Sequence, residues 1–182
     1  MTISSRERDR GFSLIELLMV VAIGVILLGI AIPSIRMSDR IKVDSAAREV
    51  QQELNAARLR AVGANRRLEV RFNCPSAGEY RIVEAGWGDS GRCDPVAYPY
   101  PAPTDASYRL PPQPRYDGPV RRLDSRVSLA ASATVLQFAP NGRATKLDAG
   151  ASKLIATETI TVAIGSFIKT IEVNGMGKAL IR

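Results

Sequence analysis

An apolar run close to the N-terminus dominates the hydrophobic pattern, extending from Phe12 to Ile32 with one acidic interruption, Glu16. At a rise of about 1.5 Å per residue, about twenty apolar residues in a helix span the roughly 30 Å of hydrocarbon in a bilayer. Only a helix of this kind satisfies its own backbone groups in lipid. The pattern therefore predicts a membrane-spanning helix over 12–35, ending near Pro33.

A cleaved secretory signal peptide is the competing interpretation of this run. A signal peptide has an apolar core of about 7–15 residues, which is followed by a small-residue cleavage site. Here the run is longer, and the residues after Pro33 lead directly into a polar helical pattern. We therefore interpret the run as a permanent anchor.

The helix is predicted to continue beyond the anchor. Apolar residues recur at alternating steps of four and three, which is the spacing of a helix packed on one face. These residues are Val43, Ala47, Val50, Leu54, Ala57 and Ala61. Gly63 and Asn65 are stop signals. The stripe is short and rich in alanine, which favours packing on a sheet over a coiled-coil seam.

Beyond about residue 66 the pattern changes to period two, which is typical of strands. The predicted strands are Leu68–Phe72, Tyr80–Val83, Leu123–Leu129, Thr134–Phe138, Ile160–Ile164 and Thr170–Val173, with a short edge strand over Lys178–Arg182. Tight turns are predicted at Pro140–Gly142 and at Asn174-Gly175. One helix followed by antiparallel strands predicts an α+β fold, with the second half of the helix laid across a sheet.

The segment 85–119 is rich in proline, glycine and aromatic residues. Because proline cannot donate a ladder hydrogen bond, we predict a long ordered loop here and no strand. A proline-rich ligand for an SH3-like module is the alternative function of this segment.

The composition argues against a metal site or an enzyme. The chain has 182 residues, a formal net charge of +7, two cysteines and no histidine. Zinc and haem sites and proton shuttles usually need histidine or more cysteines, so no cofactor is predicted. The sequence Gly175-Met176-Gly177-Lys178 resembles the end of a phosphate loop, but Ala179 stands where Mg²⁺ needs serine or threonine.

The residues from Gly11 to Glu16 read G-F-S-L-I-E, directly before the long apolar run. This pattern resembles the class III leader of type IV pilins and pseudopilins. The resemblance implies that a prepilin peptidase cuts after Gly11 and methylates the new N-terminal residue, Phe12. It also implies that Glu16 recruits the subunit into a filament and that Pro33 kinks the helix. The expected fold is the pilin fold.

Glu16 is costly in a membrane, by about 2.5–3.5 kcal/mol at the centre of a helix and less near an end. After cleavage, the free amine of Phe12 would lie four residues away on the same helical face. The two groups could neutralise each other, within one chain or between neighbouring helices. The alternative is a glutamate that reaches water at the membrane interface.

The resemblance also implies a topology and partners. Cations flank the apolar run on both sides, so the positive-inside rule does not decide the orientation. The leader motif places 1–11 in the cytoplasm, a transmembrane and filament-core helix over 12–35, and a periplasmic head over 36–182. The implied location is the inner membrane, and in an assembled filament the cell surface. The implied partners are prepilin peptidase, other pilin or pseudopilin subunits and the inner-membrane assembly platform.

Three features of the head resemble the GspH/FimT minor pilins: L-x-x-A-R at Leu54–Arg58, F-x-P-x-G-R at Phe138–Arg143, and a C-terminal hairpin that contains glycine. The resemblance implies a minor subunit that initiates or caps a type IV pilus. The alternative is a GspH-like minor pseudopilin of a type II secretion system.

A head that binds DNA during uptake is the second functional class. Some FimT-type proteins bind DNA through a basic C-terminal motif close to G-R-x-R. Here Lys178 and Arg182 keep the basic residues but not that spacing, and Lys169 lies on the preceding strand. These three cations are the candidates for contacts to phosphates, without sequence specificity.

Cys74 and Cys93 are the two thiols of the chain. In an exported head, the oxidising compartment favours a disulfide between them. Closing a loop of about twenty residues contributes roughly 3 kcal/mol in the chain-entropy model. Two separate buried thiols are the alternative.

Overall fold

The computed structural model describes residues 13–86, 92–100, 117–148 and 151–182, apart from the side chains of 29–36 and 148. The chain divides into two compact units, Met1–Ser38 and Asp39–Arg182. The second unit contains all the strands and is the head.

Helix α1 extends from Leu14 to Gly63. Its end is a Schellman motif, in which Arg66 N donates to Ala61 O (3.0 Å) and Asn65 N donates to Val62 O (3.2 Å). Asn65 adopts the left-handed backbone that this motif requires, with φ of 51°. The predicted stop at this position is therefore confirmed.

In the residues that the structure describes, no helix combines the length and the apolar character needed to cross a membrane. The predicted span over 12–35 includes residue 12 and the side chains of 29–36, which lie outside the described part.

In the part of the chain that the structure describes, ten strands follow the helix and form two antiparallel sheets. The strands are β1 Leu68–Phe72, β2 Glu79–Glu84, β3 Asp117–Arg122, β4 Ser128–Ala131, β5 Val135–Phe138, β6 Ala144–Asp148, β7 Ala151–Leu154, β8 Thr157–Ile164, β9 Phe167–Asn174 and β10 Ala179–Ile181. The larger sheet has the order β3-β2-β1-β5-β6-β7, and the smaller sheet has the order β10-β9-β8-β4. The predicted α+β class is confirmed.

One hydrophobic core joins the helix to both sheets. All six apolar residues of the predicted helical stripe are at most 2% exposed. They belong to one cluster with residues of the larger sheet, such as Val70 and Phe138, and of the smaller sheet, such as Ile160 and Ile171. The periodicity of the helix therefore identifies its buried face correctly.

The predicted strand over Leu123–Leu129 is wrong over 123–127, where the residues between β3 and β4 form a turn, and only its last two residues belong to β4. Val127 N donates to Asp124 O at 2.8 Å, and Arg126 N donates to the Asp124 carboxylate at 3.0 Å. The Lys42 ammonium, 2.6 Å from that carboxylate, attaches the turn to the helix and lowers the pKa of Asp124. Turn chemistry at an aspartate thus prevails over the apolar alternation.

The predicted loop over 85–119 also ends too late, since β3 begins at Asp117 and contains Pro119. A proline is tolerated there because β3 is an edge strand of the larger sheet. The hairpin of β6 and β7 was not predicted, because its short strands show little alternation of apolar and polar residues.

The helix–sheet contact predicts a large loss of stability for Leu54→Ala. Leu54 is 1% exposed, and a buried Leu→Ala substitution costs about 2–5 kcal/mol. Leu59→Ala on the same helix is the control, because Leu59 is 67% exposed. Urea unfolding of the detergent-purified chain measures both. Equal losses would contradict the assigned buried face.

Candidate functional site

The described part of the first unit is an apolar helix surface with a single acid. Between Leu14 and Leu28, every large apolar side chain is 55–77% exposed. A helix that is apolar on all sides needs lipid or other protein around it. Glu16 lies exposed in the first turn, where the positive end of the helix dipole favours a carboxylate.

Gly11 and Phe12 lie outside the described residues, as does the side chain of Pro33. Their assigned roles in cleavage, methylation and helix kinking stay predictions. The helix is continuous through Pro33 as a backbone element.

The predicted disulfide between Cys74 and Cys93 is confirmed. Their Cα atoms are 5.0 Å apart, and 19 residues separate them in sequence. Cys74 follows β1 and is 2% exposed. The bond therefore attaches the segment that follows β2 to the end of a central strand.

A buried arginine attaches the same segment a second time. Arg81 of β2 is 1% exposed, and its guanidinium donates to the carbonyls of Gly118 (2.8 Å), Arg92 (2.8 Å) and Tyr98. In turn, Arg92 donates two hydrogen bonds to the Asp117 carboxylate. Sequence reasoning missed this arrangement, because alternation alone gives Arg81 a solvent-facing position.

Two glycine turns, one from each sheet, meet beside the helix. Gly142 ends the turn between β5 and β6 and has φ of 77°, whereas Gly177 ends the turn between β9 and β10 and has φ of 74°. Arg58 Nε donates to Gly142 O at 3.0 Å. A Cβ on Gly177 would collide with that same carbonyl oxygen and lie 3.0 Å from Arg58 Cδ. We call Arg58, Gly142 and Gly177 the glycine junction.

The glycine junction contains residues from all three features that resemble the GspH/FimT minor pilins. Arg58 ends the helical L-x-x-A-R pattern, Gly142 belongs to the F-x-P-x-G-R turn, and Gly177 belongs to the C-terminal hairpin. The glycines are needed because both positions combine a left-handed backbone with a close approach. Both turns have the three-residue form with glycine in the left-handed position.

Helix side chains also cover the free edge of β10. Gln51 Nε2 donates to Ala179 O at 3.1 Å, and Ala179 N donates to Asn55 Oδ1 at 3.4 Å. These two amides replace the partner that a neighbouring strand would supply. With Arg58 they form a polar stripe along the helix, since positions 51, 55 and 58 lie on one face.

The structure does not place the three candidate cations for DNA binding in one row. Lys169 lies on the same face of β9 as the buried Ile171, and its Nζ is 3.7 Å from an oxygen of Asp44. Arg182 Nε is 3.0 Å from an oxygen of Glu172. Lys178 is exposed. DNA binding stays a prediction. Of its three candidate cations, Lys178 forms no ion pair with a carboxylate among the described residues.

A buried carboxylate connects the two sheets. Burial tends to raise the pKa of Glu158 on β8, but Lys146 of β6, with Nζ at 2.8 Å, and the Ser132 hydroxyl donate to it and lower its pKa below the usual 4.5. The charged form is therefore the stable form in the folded head.

An N-terminal motif that includes the apolar helix, followed by a helix packed on antiparallel strands, resembles the arrangement of type IV pilin-like proteins. Residues 6–32 match the family model described as the prokaryotic N-terminal methylation motif. The motif and the fold resemble those of pilin subunits.

Two known proteins are similar to this chain. Pilin-like protein PilA1 of Thermus thermophilus is 37% identical over 73 residues, which cover 40% of this chain and 46% of the relative. The match thus spans about half the length of that relative. The crystal structure of the type IV minor pilin FimU of Pseudomonas aeruginosa (strain PAO1) aligns with a TM-score of 0.50 and 15% identity, over 80% of this chain and 92% of FimU. This likeness shows a shared fold.

Gly177→Ala is expected to destabilise the head more than Gly165→Ala. Both glycines have a positive φ, but a Cβ at Gly165 has nothing within 4 Å. A left-handed backbone costs an alanine about 1–2 kcal/mol at either position, and Gly177→Ala adds the collision with the Gly142 carbonyl. Urea unfolding measures both variants. Equal costs would show that the glycine junction is not tightly packed.

Glu158→Gln tests the connection between the sheets. Because the folded pKa is lowered, the wild-type carboxylate stabilises the head above about pH 4.5 and loses this contribution as the pH falls through its folded pKa. The melting temperature of the variant should be lower at pH 7 and approach the wild-type value near pH 3. Glu49→Gln is the exposed control. A difference that is constant with pH would contradict the assignment.

Proposed function

We propose that this chain is a minor subunit of a type IV pilus. A prepilin peptidase removes 1–11 and methylates Phe12, the apolar helix holds the subunit in the inner membrane, and the head lies in the periplasm until assembly. The observation that carries this proposal is the exposed apolar helix with Glu16 in its first turn, which lies within the region that matches a methylation motif.

The physical argument starts from what such a helix needs. Its exposed apolar surface is stable in lipid before assembly and against the apolar helices of other subunits afterwards. Glu16 is the one polar group among these side chains. Its carboxylate would pair with the amine that cleavage creates at Phe12, on the same or a neighbouring helix. This pairing gives the helix a preferred register against its neighbours, which an apolar surface alone does not provide.

The pilus is favoured over a type II secretion system, because the head shares its fold with a protein named as a type IV minor pilin. A deletion strain scored separately for pili, secretion and DNA uptake tests this choice. Lost pili with normal secretion supports the proposal, and the reverse supports a GspH-like pseudopilin. DNA binding is not part of the proposal, because Lys169 and Arg182 are already paired with carboxylates.

Glu16→Ala should separate membrane insertion from assembly. Removing the carboxylate lowers the cost of insertion, so the variant should still enter the membrane and lose 1–11. Its amount in sheared filaments should fall at least tenfold, because the amine of Phe12 loses its counter-ion. Intact mass spectrometry of the membrane fraction and immunoblots of sheared filaments measure the two steps.

Gly11→Val is the control for the first step, since it should retain the leader and enter no filaments. Wild-type amounts of Glu16→Ala in filaments would favour the alternative of a glutamate that reaches water at the interface.

A further inference from the structure

The exposed surface around the glycine junction combines apolar side chains with cations. Val62 Cγ2 lies 3.5 Å from the position of a Cβ on Gly142, and Leu59 precedes Val62 by one helical turn. Arg143 follows Gly142 in sequence, and Met176 and Lys178 flank Gly177. We call Leu59, Val62, Arg143, Met176 and Lys178 the junction surface.

The apolar members of this surface are open to solvent. Leu59 is 67% exposed, Val62 is 46% exposed and Met176 is 61% exposed. Arg143 and Lys178 are exposed as well. Three large apolar side chains at one site, on two different elements, form the kind of patch that marks a protein contact.

The two cations differ from most cations of the head, because no described carboxylate pairs with either. In contrast, eleven other cations of the head form ion pairs: Lys42, Arg48, Arg66, Arg71, Arg92, Arg121, Arg122, Arg126, Lys146, Lys169 and Arg182. The free positive charge of these two cations lies next to the exposed apolar patch. A partner that fits must supply carboxylates around an apolar centre.

A second copy of this chain is a poor source of such carboxylates. Among the acidic side chains that the structure describes in the head, those without a cation in ion-pair contact are Glu49 and Asp94. The whole chain also has an excess of seven positive charges, so two copies repel each other. Nucleic acid fits less well than protein, because phosphate contacts do not bury aliphatic side chains and none of the five residues is aromatic.

We propose that the junction surface docks onto a different pilin-type subunit, whose contacting surface is acidic with an apolar centre. This inference rests on the proposed function in taking the partner to be a filament subunit. The apolar side chains supply the buried area of the contact, and Arg143 and Lys178 select an acidic neighbour over another copy of this basic chain. The surface thus determines which subunit is adjacent in the filament.

Photocrosslinking in the host tests the partner, with the full chain and a photoreactive phenylalanine analogue in place of Met176. The control carries the analogue in place of Ile168, which is 60% exposed on β9. The expected result is a nuclease-resistant adduct with an acidic protein that carries a prepilin motif, at least tenfold above the control. An adduct with a second copy, with a basic protein or with DNA would overturn the proposal, as would no adduct above the control.

Charge variants of the crosslinking chain test the two cations. Arg143→Glu with Lys178→Glu should reduce the adduct at least tenfold at an unchanged melting temperature, and Arg143→Lys with Lys178→Arg should retain it. Arg40→Glu with Arg67→Glu is the matched charge control, because both are exposed cations without a described ion pair, and it should retain the adduct. If Arg143→Glu with Lys178→Glu keeps the full adduct, the cations do not select the partner.

The mass of the chain is measured in the same samples and shows whether 1–11 has been removed. This measurement separates failure of the proposed function from failure of the junction surface. A chain that retains 1–11 refutes the proposed function and this partner with it. A cleaved chain that enters filaments but gives no adduct refutes the junction surface alone.

Discussion

Burial of one face of helix α1 is the interaction on which both sheets depend. Among the described residues, neither sheet is covered by a separate layer of helices or strands. The inward apolar side chains of both sheets meet in one cluster around the helix. Five of the six residues in the helical stripe are alanine or valine and allow the backbone to come close to the strands. A single helix can therefore pack against two sheets, because its buried face is narrow and the side chains on that face are small.

The glycine junction limits how far a sheet can shift along the buried face of the helix. Apolar packing alone tolerates small shifts of a sheet along a helix, whereas the hydrogen bond from Arg58 to Gly142 O fixes one point. Gln51 and Asn55 fix a second point on β10. Because the same polar stripe bonds to an element of each sheet, the positions of the two sheets are coupled.

Much of this arrangement can be predicted from the sequence. The contacts that could not be predicted escape sequence reasoning for physical reasons. Helical spacing from Val43 to Ala61 predicts the buried face, and the turn residues predict both glycine turns. The approach of Gly142 to Gly177 could not be predicted, because it joins residues 35 positions apart in different sheets. The arginine attachment was missed for a similar reason, since a buried arginine is stable only where carbonyls converge on it. The failed strand over 123–127 shows that local hydrogen bonds to an aspartate can prevail over apolar alternation.

The double attachment of the segment after β2 has a consequence for how this protein can change over evolution. The Tyr98 carbonyl is fixed by Arg81, and Asp117 is fixed by Arg92, so both ends of the stretch between them start from defined points on the sheet. The entropy cost of closing a loop grows only with the logarithm of its length, by about 0.6 kcal/mol for each doubling. Insertions and substitutions between these two points therefore have little effect on folding of the head. A lineage can diversify this segment while the sheets and the helix stay unchanged.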